Sequence, residues 1–237
     1  MTTLHSNKKI IVTGGNGRFA QVLKKENKKL KIFFPSKKIF NILDVNSMKK
    51  YIRKIKPKYI IHCAGLSRPM DLHVKDISKS INLNIIGTAN VVNVCNEFNI
   101  KLIYFSTGYV YEGKKGNYNE KDPVLPINNY AWSKLGGESS VILYKKSLIL
   151  RIIMCERPFL HDYAFYDIKT NFVFQDEVAK IIPKILNEKG IINIGGEIQS
   201  VFNFAKKTQK KVMKSSGKKI FPPNPSMNIS KLKKILS

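Results

Sequence analysis

The stretch Lys8-Lys9-Ile10-Ile11-Val12-Thr13-Gly14-Gly15-Asn16-Gly17-Arg18-Phe19-Ala20 decides the fold. A short apolar, β-branched run reads as a strand over Lys8 to Thr13. It ends in a glycine-rich turn, and a helical pattern takes over from Arg18 to about Glu26. Gly14, Gly17 and Ala20 fall at i, i+3 and i+6. The first lets the chain turn sharply, the second lets backbone approach a ligand, and the small third residue lets helix pack on strand. The helix start then offers free N–H groups and a favourable dipole to a pyrophosphate. A glycine-rich turn alone is often only a turn. Its place between strand and helix makes Gly14, Gly15, Asn16, Gly17, Arg18, Phe19 and Ala20 candidate dinucleotide contacts.

Working outward, short apolar strands alternate with amphipathic helices, as in a doubly wound parallel sheet. Strands are expected at Leu30 to Phe34, Tyr59 to Cys63, Leu102 to Phe105, Leu148 to Ile153 and Ile191 to Ile194. Helices are expected at Met48 to Ile55, Ile77 to Glu97, Ala131 to Tyr144, Glu177 to Leu186, Val201 to Met213 and Ile229 to Leu236. The pattern weakens after Cys155, through the aromatic-rich Arg157 to Thr170 and a basic linker, Lys214 to Pro225. The expected fold class is therefore α/β and Rossmann-like. Residues 1–155 would form the dinucleotide-binding domain, and 156–237 a small, shortened C-terminal substrate region interleaved with the same sheet.

Composition narrows the function. The chain has 237 residues and 43% hydrophobic content, enough for a proper core. Apolar runs are strand-length, so no membrane span is expected. Met1 to Asn7 is polar and has no apolar leader, which makes the cytoplasm the expected compartment. Three scattered cysteines (Cys63, Cys95, Cys155) read as reduced thiols, and the four histidines have no ligand spacing, so no metal is expected. The net charge of +26 comes almost wholly from lysine, spread in short pieces, while arginine is rare. Nucleic-acid binders concentrate charge and interleave stacking aromatics. The excess reads as solvated lysine rather than a nucleic-acid face, although it would attract anionic nucleotides.

An acid at the end of the second strand would grip the ribose of NAD, and none stands between Leu30 and Asn41. Ser36, Lys37 and Lys38, with Arg18, suit a 2′-phosphate instead, which favours NADP over NAD. The same lysines equally fit an ordinary solvated surface.

Tyr130-Ala131-Trp132-Ser133-Lys134 sets a phenol and an ammonium one helical turn apart. Reduction of a carbonyl by hydride needs a proton donor at the developing alkoxide. A nearby cation lowers a phenol's pKa and suits it to that task. Upstream, Phe105-Ser106-Thr107-Gly108-Tyr109-Val110-Tyr111 places Thr107 at the C-terminal end of a parallel strand, where ligands bind in such sheets.

Together with His62-Cys-Ala-Gly65, Asn84-x-x-Gly-Thr88 and Tyr130-x-x-x-Lys134-x-x-Gly-Glu138, these motifs resemble the extended short-chain dehydrogenases/reductases. Within them the chain is most similar to dTDP-4-dehydrorhamnose reductases. The resemblance implies a catalytic triad of Thr107, Tyr130 and Lys134, with Tyr130 and Lys134 also touching the cofactor. It implies a cofactor site lined by Gly14, Gly17, Asp44, Val45, Cys63, Ala64 and Gly65, with Asp44 near the adenine, and Asn84 supporting the site. Asp44 equally suits a helix cap, and Asn84 a satisfied buried amide. Two departures stand out. Gly108 occupies a position where these reductases often carry Asp, and the segment between Cys155 and Phe174 is short.

The reading is an NAD(P)H-dependent 4-keto reductase of a nucleotide-linked deoxysugar, with NADP or NAD as cofactor and a nucleotide-sugar as substrate. The alternatives are an NAD-retaining nucleotide-sugar epimerase or dehydratase, and a non-catalytic NAD(P)-binding regulatory subunit. A homodimer that completes the abbreviated pocket is left open.

Overall fold

The computed structural model describes residues 8–237. The polar stretch Met1 to Asn7, on which the absence of a leader was read, lies outside the described residues. The chain runs β1 (Ile10–Thr13), α1 (Arg18–Glu26), β2 (Ile32–Phe33), α2 (Val45–Ile55) and β3 (Tyr59–His62). A short α3 (Leu72–Lys75) precedes α4 (Ile77–Ile81), a π-helical turn (Asn82–Ile86) and α5 (Gly87–Glu97). Next come β4 (Lys101–Phe105), a single 3-10 turn (Gly108–Val110), α6 (Asn129–Ile142), β5 (Ser147–Ile152) and β6 (Met154–Cys155). The remainder comprises β7 (Tyr163–Phe165), β8 (Lys169–Thr170), β9 (Val173–Phe174), α7 (Gln175–Ile185) and β10 (Gly190–Ile194). It closes with β11 (Gln199–Ser200), α8 (Val201–Lys206), β12 (Met213–Ser215) and α9 (Ser230–Leu236).

Six strands form one sheet in the order β10-β5-β4-β3-β1-β2, and every pair is parallel. Strands β1, β3, β4 and β5 are buried on both faces, which is why they are continuous apolar runs rather than alternating ones. Successive side chains still divide between two cores. Ile10, Val12, Ile61 and Ile103 pack with Phe19 and Leu23 of α1, Val178 and Ile182 of α7 and Leu232 of α9. Ile11, Ile60, Leu102 and Tyr104 pack with Met48 and Ile52 of α2, Val91 and Val94 of α5 and Val141 of α6. The sheet is thus doubly wound, and its order reverses between β1 and β3, the switch point at which such sheets open a ligand crevice.

The segment from β6 onward, apart from α7 and β10, departs most from the expected pattern. Its short strands β6–β9, β11 and β12 pair only in twos and surround a small third core that includes Phe159, Phe174 and Phe204. Val201 to Met213 is not one helix. Helix α8 stops at Lys206 because Thr208-Gln209-Lys210-Lys211 supplies no apolar residue where the helical period needs one. The chain then turns so that Val212 enters the third core and β12 pairs with β7. At the front of the chain α2 starts at Val45 rather than Met48, because the Asp44 carboxylate accepts the Ser47 N–H at 3.1 Å. Among the described residues, no helix is long and apolar enough to cross a membrane, and no group of three or more His, Cys, Asp or Glu is placed to hold a metal ion.

Candidate active site

Thr13 ends β1 and fixes the start of the site. Its hydroxyl accepts the Ala64 N–H at 3.0 Å, so it donates to His62 Nδ1 at 2.8 Å. The imidazole then carries its proton on Nε2 and donates to Thr88 at 3.1 Å, and Thr88 donates to the Asn84 carbonyl at 2.8 Å. Burial, aided by the charge of Lys134, lowers the His62 pKa to about 3, so the ring is neutral. This chain of bonds ties the glycine-turn strand to the helix that carries Asn84.

The turn itself needs glycine at position 14, where φ is +68° and an added Cβ would lie 3.0 Å from Ala64 Cα. Gly17 caps α1, and Phe19 packs on Phe105 with ring centroids 4.9 Å apart. A cleft of about 1310 Å³ opens above this loop at the C-terminal ends of the strands. Gly14 and the residues from Asn16 to Ala20 line it, as do Cys63, Ala64 and Gly65. Gly15 lies against the Phe34 backbone instead. Asp44 is spent on its helix cap, and neither it nor Val45 lines the cleft. Burial pushes the Cys63 thiol up to about 12, which makes it a packing group rather than a nucleophile.

Across the cleft stand Thr107, Tyr130 and Lys134. Thr107 follows β4 and caps the 3-10 turn by accepting the Tyr109 N–H at 3.2 Å. Tyr130 and Lys134 share a face of α6, whose start is fixed by Asn128 Oδ1 accepting the Ala131 N–H at 2.8 Å. Burial raises the Tyr130 phenol to about 12, opposed by its hydrogen bond with Thr107 and by the charge of Arg68. Lys134, expected from its spacing to lower this phenol's pKa, is not among the groups that do so. The Lys134 ammonium lies over the Tyr104 ring, 4.2 Å from its centroid, and burial lowers its own pKa to about 8.

Asn84 sits in the π-helical turn, where Gly87 N–H donates to Asn82 O, five residues back. Its amide accepts the Leu66 N–H at 2.7 Å and donates to the Leu66 carbonyl at 2.8 Å and to Ser133 Oγ at 2.8 Å. Ser133 in turn donates to the Tyr130 carbonyl at 2.7 Å. Asn84 therefore clamps the loop after β3 to α6, and does not line the cleft.

Beneath the site lies an ionic network that the sequence reading left without a role. Arg151 Nη2 lies 2.6 Å from Glu138 Oε1, and both side chains are at most 5% exposed. The Ser106 hydroxyl donates to the same carboxylate, and Arg151 Nη1 donates to the Tyr111 hydroxyl at 2.8 Å. These bonds lock α6 to the ends of β4 and β5, directly below Thr107 and Lys134.

Gly108 is also explained. A Cβ there would lie 2.7 Å from Ile153 Cγ1 and 2.8 Å from Met227 Sδ. The space an Asp would need is filled by apolar side chains, one of them from the segment before α9. Arg68 and Glu156 line the cleft as well and escaped the sequence reading. Their signal was the scarcity of arginine in a lysine-rich chain, where each guanidinium stands out as a potential ion-pair partner.

Comparison with known proteins agrees with this fold. The chain is 31% identical over 147 residues to methionine adenosyltransferase 2 subunit beta of Danio rerio, covering 57% of this chain and 44% of that protein. It is 27% identical over 148 residues to a dTDP-4-dehydrorhamnose reductase of Aggregatibacter actinomycetemcomitans, covering 60% and 50%. The aligned segment thus spans half or less of each of these relatives. The crystal structure of dTDP-4-dehydrorhamnose reductase from Bacillus anthracis str. Ames in complex with NADP superposes with a TM-score of 0.83. That match covers 95% of this chain and 91% of the other at 24% identity, which shows a shared fold. The model of the RmlD substrate binding domain matches residues 8–155, from the first strand of the sheet to the end of β6, and the chain belongs to that family.

Proposed function

We propose that the cleft binds a nicotinamide dinucleotide and that the chain reduces the 4-keto group of a nucleotide-linked deoxysugar. The observation that carries this reading is the meeting of Thr107, Tyr130 and Lys134 with the glycine turn in one cleft at the switch point of the sheet. The backbone from Gly14 to Ala20 and the Ala64–Gly65 turn would hold the dinucleotide, and Lys134 its nicotinamide ribose. The bound cofactor would supply the hydride to the keto carbon. Tyr130 gives its proton to the oxygen that becomes the alcohol, and Thr107 hydrogen-bonds the same oxygen. The tyrosinate left behind is stabilised by the Thr107 hydroxyl and the Arg68 charge, and regains its proton from solvent. A phenol raised to about 12 by burial is a poor spontaneous acid, so proton release waits on the basic alkoxide. NADPH is the favoured cofactor over NADH, since no acid closes β2 and Lys37 and Lys38 follow it.

The similarity to methionine adenosyltransferase 2 beta subunits favours a second reading, a dinucleotide-binding regulatory subunit. One experiment separates the two. A panel of 4-keto nucleotide sugars is assayed with NADPH and NADH by absorbance, using wild type and Tyr130→Phe. Turnover by the wild type that falls by about 10²–10⁴-fold in the variant supports the reductase. NADPH binding without reduction of any panel member transfers the chain to the regulatory reading.

A further inference from the structure

The chain has five arginines, and four of them meet carboxylates. Two converge on a single carboxylate inside the cleft. Glu156 Oε1 lies 3.3 Å from Arg18 Nη1 and 3.1 Å from Arg68 Nη1, and Oε2 accepts a second bond from Arg68 at 3.3 Å. Each partner is held independently. Arg18 opens α1 directly after Gly17. Arg68 follows Leu66, whose N–H and carbonyl are both bound by Asn84. Glu156 follows β6 and precedes Arg157, which lies 3.8 Å from the Phe174 ring centroid and pairs with Asp176 and Glu177. The carboxylate is largely shielded, at 18% exposure, while the guanidiniums keep 53% and 39%.

Two guanidiniums facing one carboxylate leave a positive charge uncompensated, in a cleft that also holds Lys134. The planar fork of a guanidinium fits phosphate oxygens as well as it fits a carboxylate. Glu156 therefore occupies the position in which two such forks would grip an anionic ligand. The charge of Arg68 acts on Tyr130, but neither that nor the glycine turn accounts for Glu156 or for the convergence of two guanidiniums on it.

We propose that Arg18 and Arg68 form a two-guanidinium cradle for a diphosphate, and that Glu156 is its resting counter-ion, displaced when the ligand enters. The inference rests on the reading of the cleft as a site for dinucleotide and nucleotide-sugar. Both ligands carry a diphosphate, and the arms of the test tell them apart. Arg18 approaches from the dinucleotide turn and Arg68 from the wall that carries Tyr130, so the cradle bridges the two halves of the cleft.

Calorimetric titration of the full chain with inorganic pyrophosphate, NADPH and dTDP, in wild type, Arg68→Gln and Glu156→Gln, tests the proposal. Removing a charged fork should weaken the cradled ligand about tenfold, and removing the competing carboxylate should tighten it several-fold. Arg68→Lys should fall between wild type and Arg68→Gln, because it keeps charge without the fork. Equal thermal midpoints without ligand show that the variants fold. A response in the NADPH arm assigns the cradle to the cofactor, and one in the dTDP arm assigns it to the sugar nucleotide. Affinities for all three ligands unchanged in Arg68→Gln, or weaker binding in Glu156→Gln, overturn the cradle. If the wild type ignores NADPH but holds pyrophosphate through Arg68, the reductase reading falls and the cradle stands.

Discussion

Lowering the pH from 7 to 5 should destabilise the folded chain by about 2 kcal/mol through His62 alone. The unfolded imidazole titrates near 6.5, whereas burial and the Lys134 charge hold the folded one at about 3. A lowered folded value means that the unfolded chain binds more protons throughout the window between 3 and 6.5. Stability therefore rises with pH across that window and is lost as pH falls. The limiting slope is about 1.4 kcal/mol per pH unit, and the loss is close to zero at pH 7. Burial is the main cause and the Lys134 charge adds to it; the hydrogen bonding around the ring agrees, since Nδ1 is an acceptor. A proton there would face the Thr13 hydroxyl, which already donates to that nitrogen while accepting the Ala64 N–H. Urea unfolding followed by circular dichroism at pH 7, 6 and 5 measures the effect, with His62→Gln as a partner that hydrogen-bonds but does not titrate. His73, also lowered by burial, adds to the slope in both proteins, so the difference between them is the quantity to read. Equal losses in wild type and His62→Gln between pH 7 and 5 would refute the reasoning.

Breaking the buried ionic network should be severe. Glu138→Gln leaves Arg151 without its counter-charge at about 5% exposure, and should cost about 3–5 kcal/mol in denaturant titration, whereas Asp71→Asn at the exposed Lys75–Asp71 pair should leave the unfolding midpoint nearly unchanged. NADPH affinity should fall as pH rises through about 8, where the Lys134 ammonium loses its proton, and Lys134→Met should be weak and nearly flat over the same range. Binding titrations should give NADPH at least the affinity of NADH, and Lys37→Ala should narrow any gap; a preference for NADH that ignores the substitution would remove the 2′-phosphate argument. Gly14→Ala should lose both dinucleotide binding and stability in thermal melts, because φ +68° and the 3.0 Å approach of Ala64 leave no place for a methyl group.

The parts of this molecule that were legible in its sequence are those governed by local rules. The β1 turn, the five other strands of the main sheet and the face shared by Tyr130 and Lys134 all follow from period and turn chemistry over a dozen residues or fewer. Asp44 shows where two local rules compete: a carboxylate before a helix serves a cap or a ligand, and the Ser47 N–H takes it here. The illegible parts are set by distant partners. Strands of two residues such as β6 and β9 have no period to detect, and form because Arg157 and the third core hold them together. Arg68 and Glu156 are 88 residues apart, and nothing in either neighbourhood announces the other. Gly108 looks in the sequence like a missing recognition residue, because Ile153 and Met227, which fill the space beside it, are 45 and 119 residues away.

The π-helical turn gives the cleft a property of registration. A regular helix advances about 100° per residue, so one residue more or less rotates everything on one side relative to the other. The Asn82–Ile86 turn carries such an extra residue, which offsets Ile77–Ile81 from Gly87–Glu97 while Asn84 turns inward to Leu66 and Ser133. Deleting Leu83 would let the turn close into ordinary α-helix with its backbone bonds intact. The asparagine would then swing away from the loop that carries Arg68, and from the helix that carries Tyr130. A whole, well-formed helix would have lost its alignment with Arg68 and Tyr130, and the cleft would slip while the secondary structure improved.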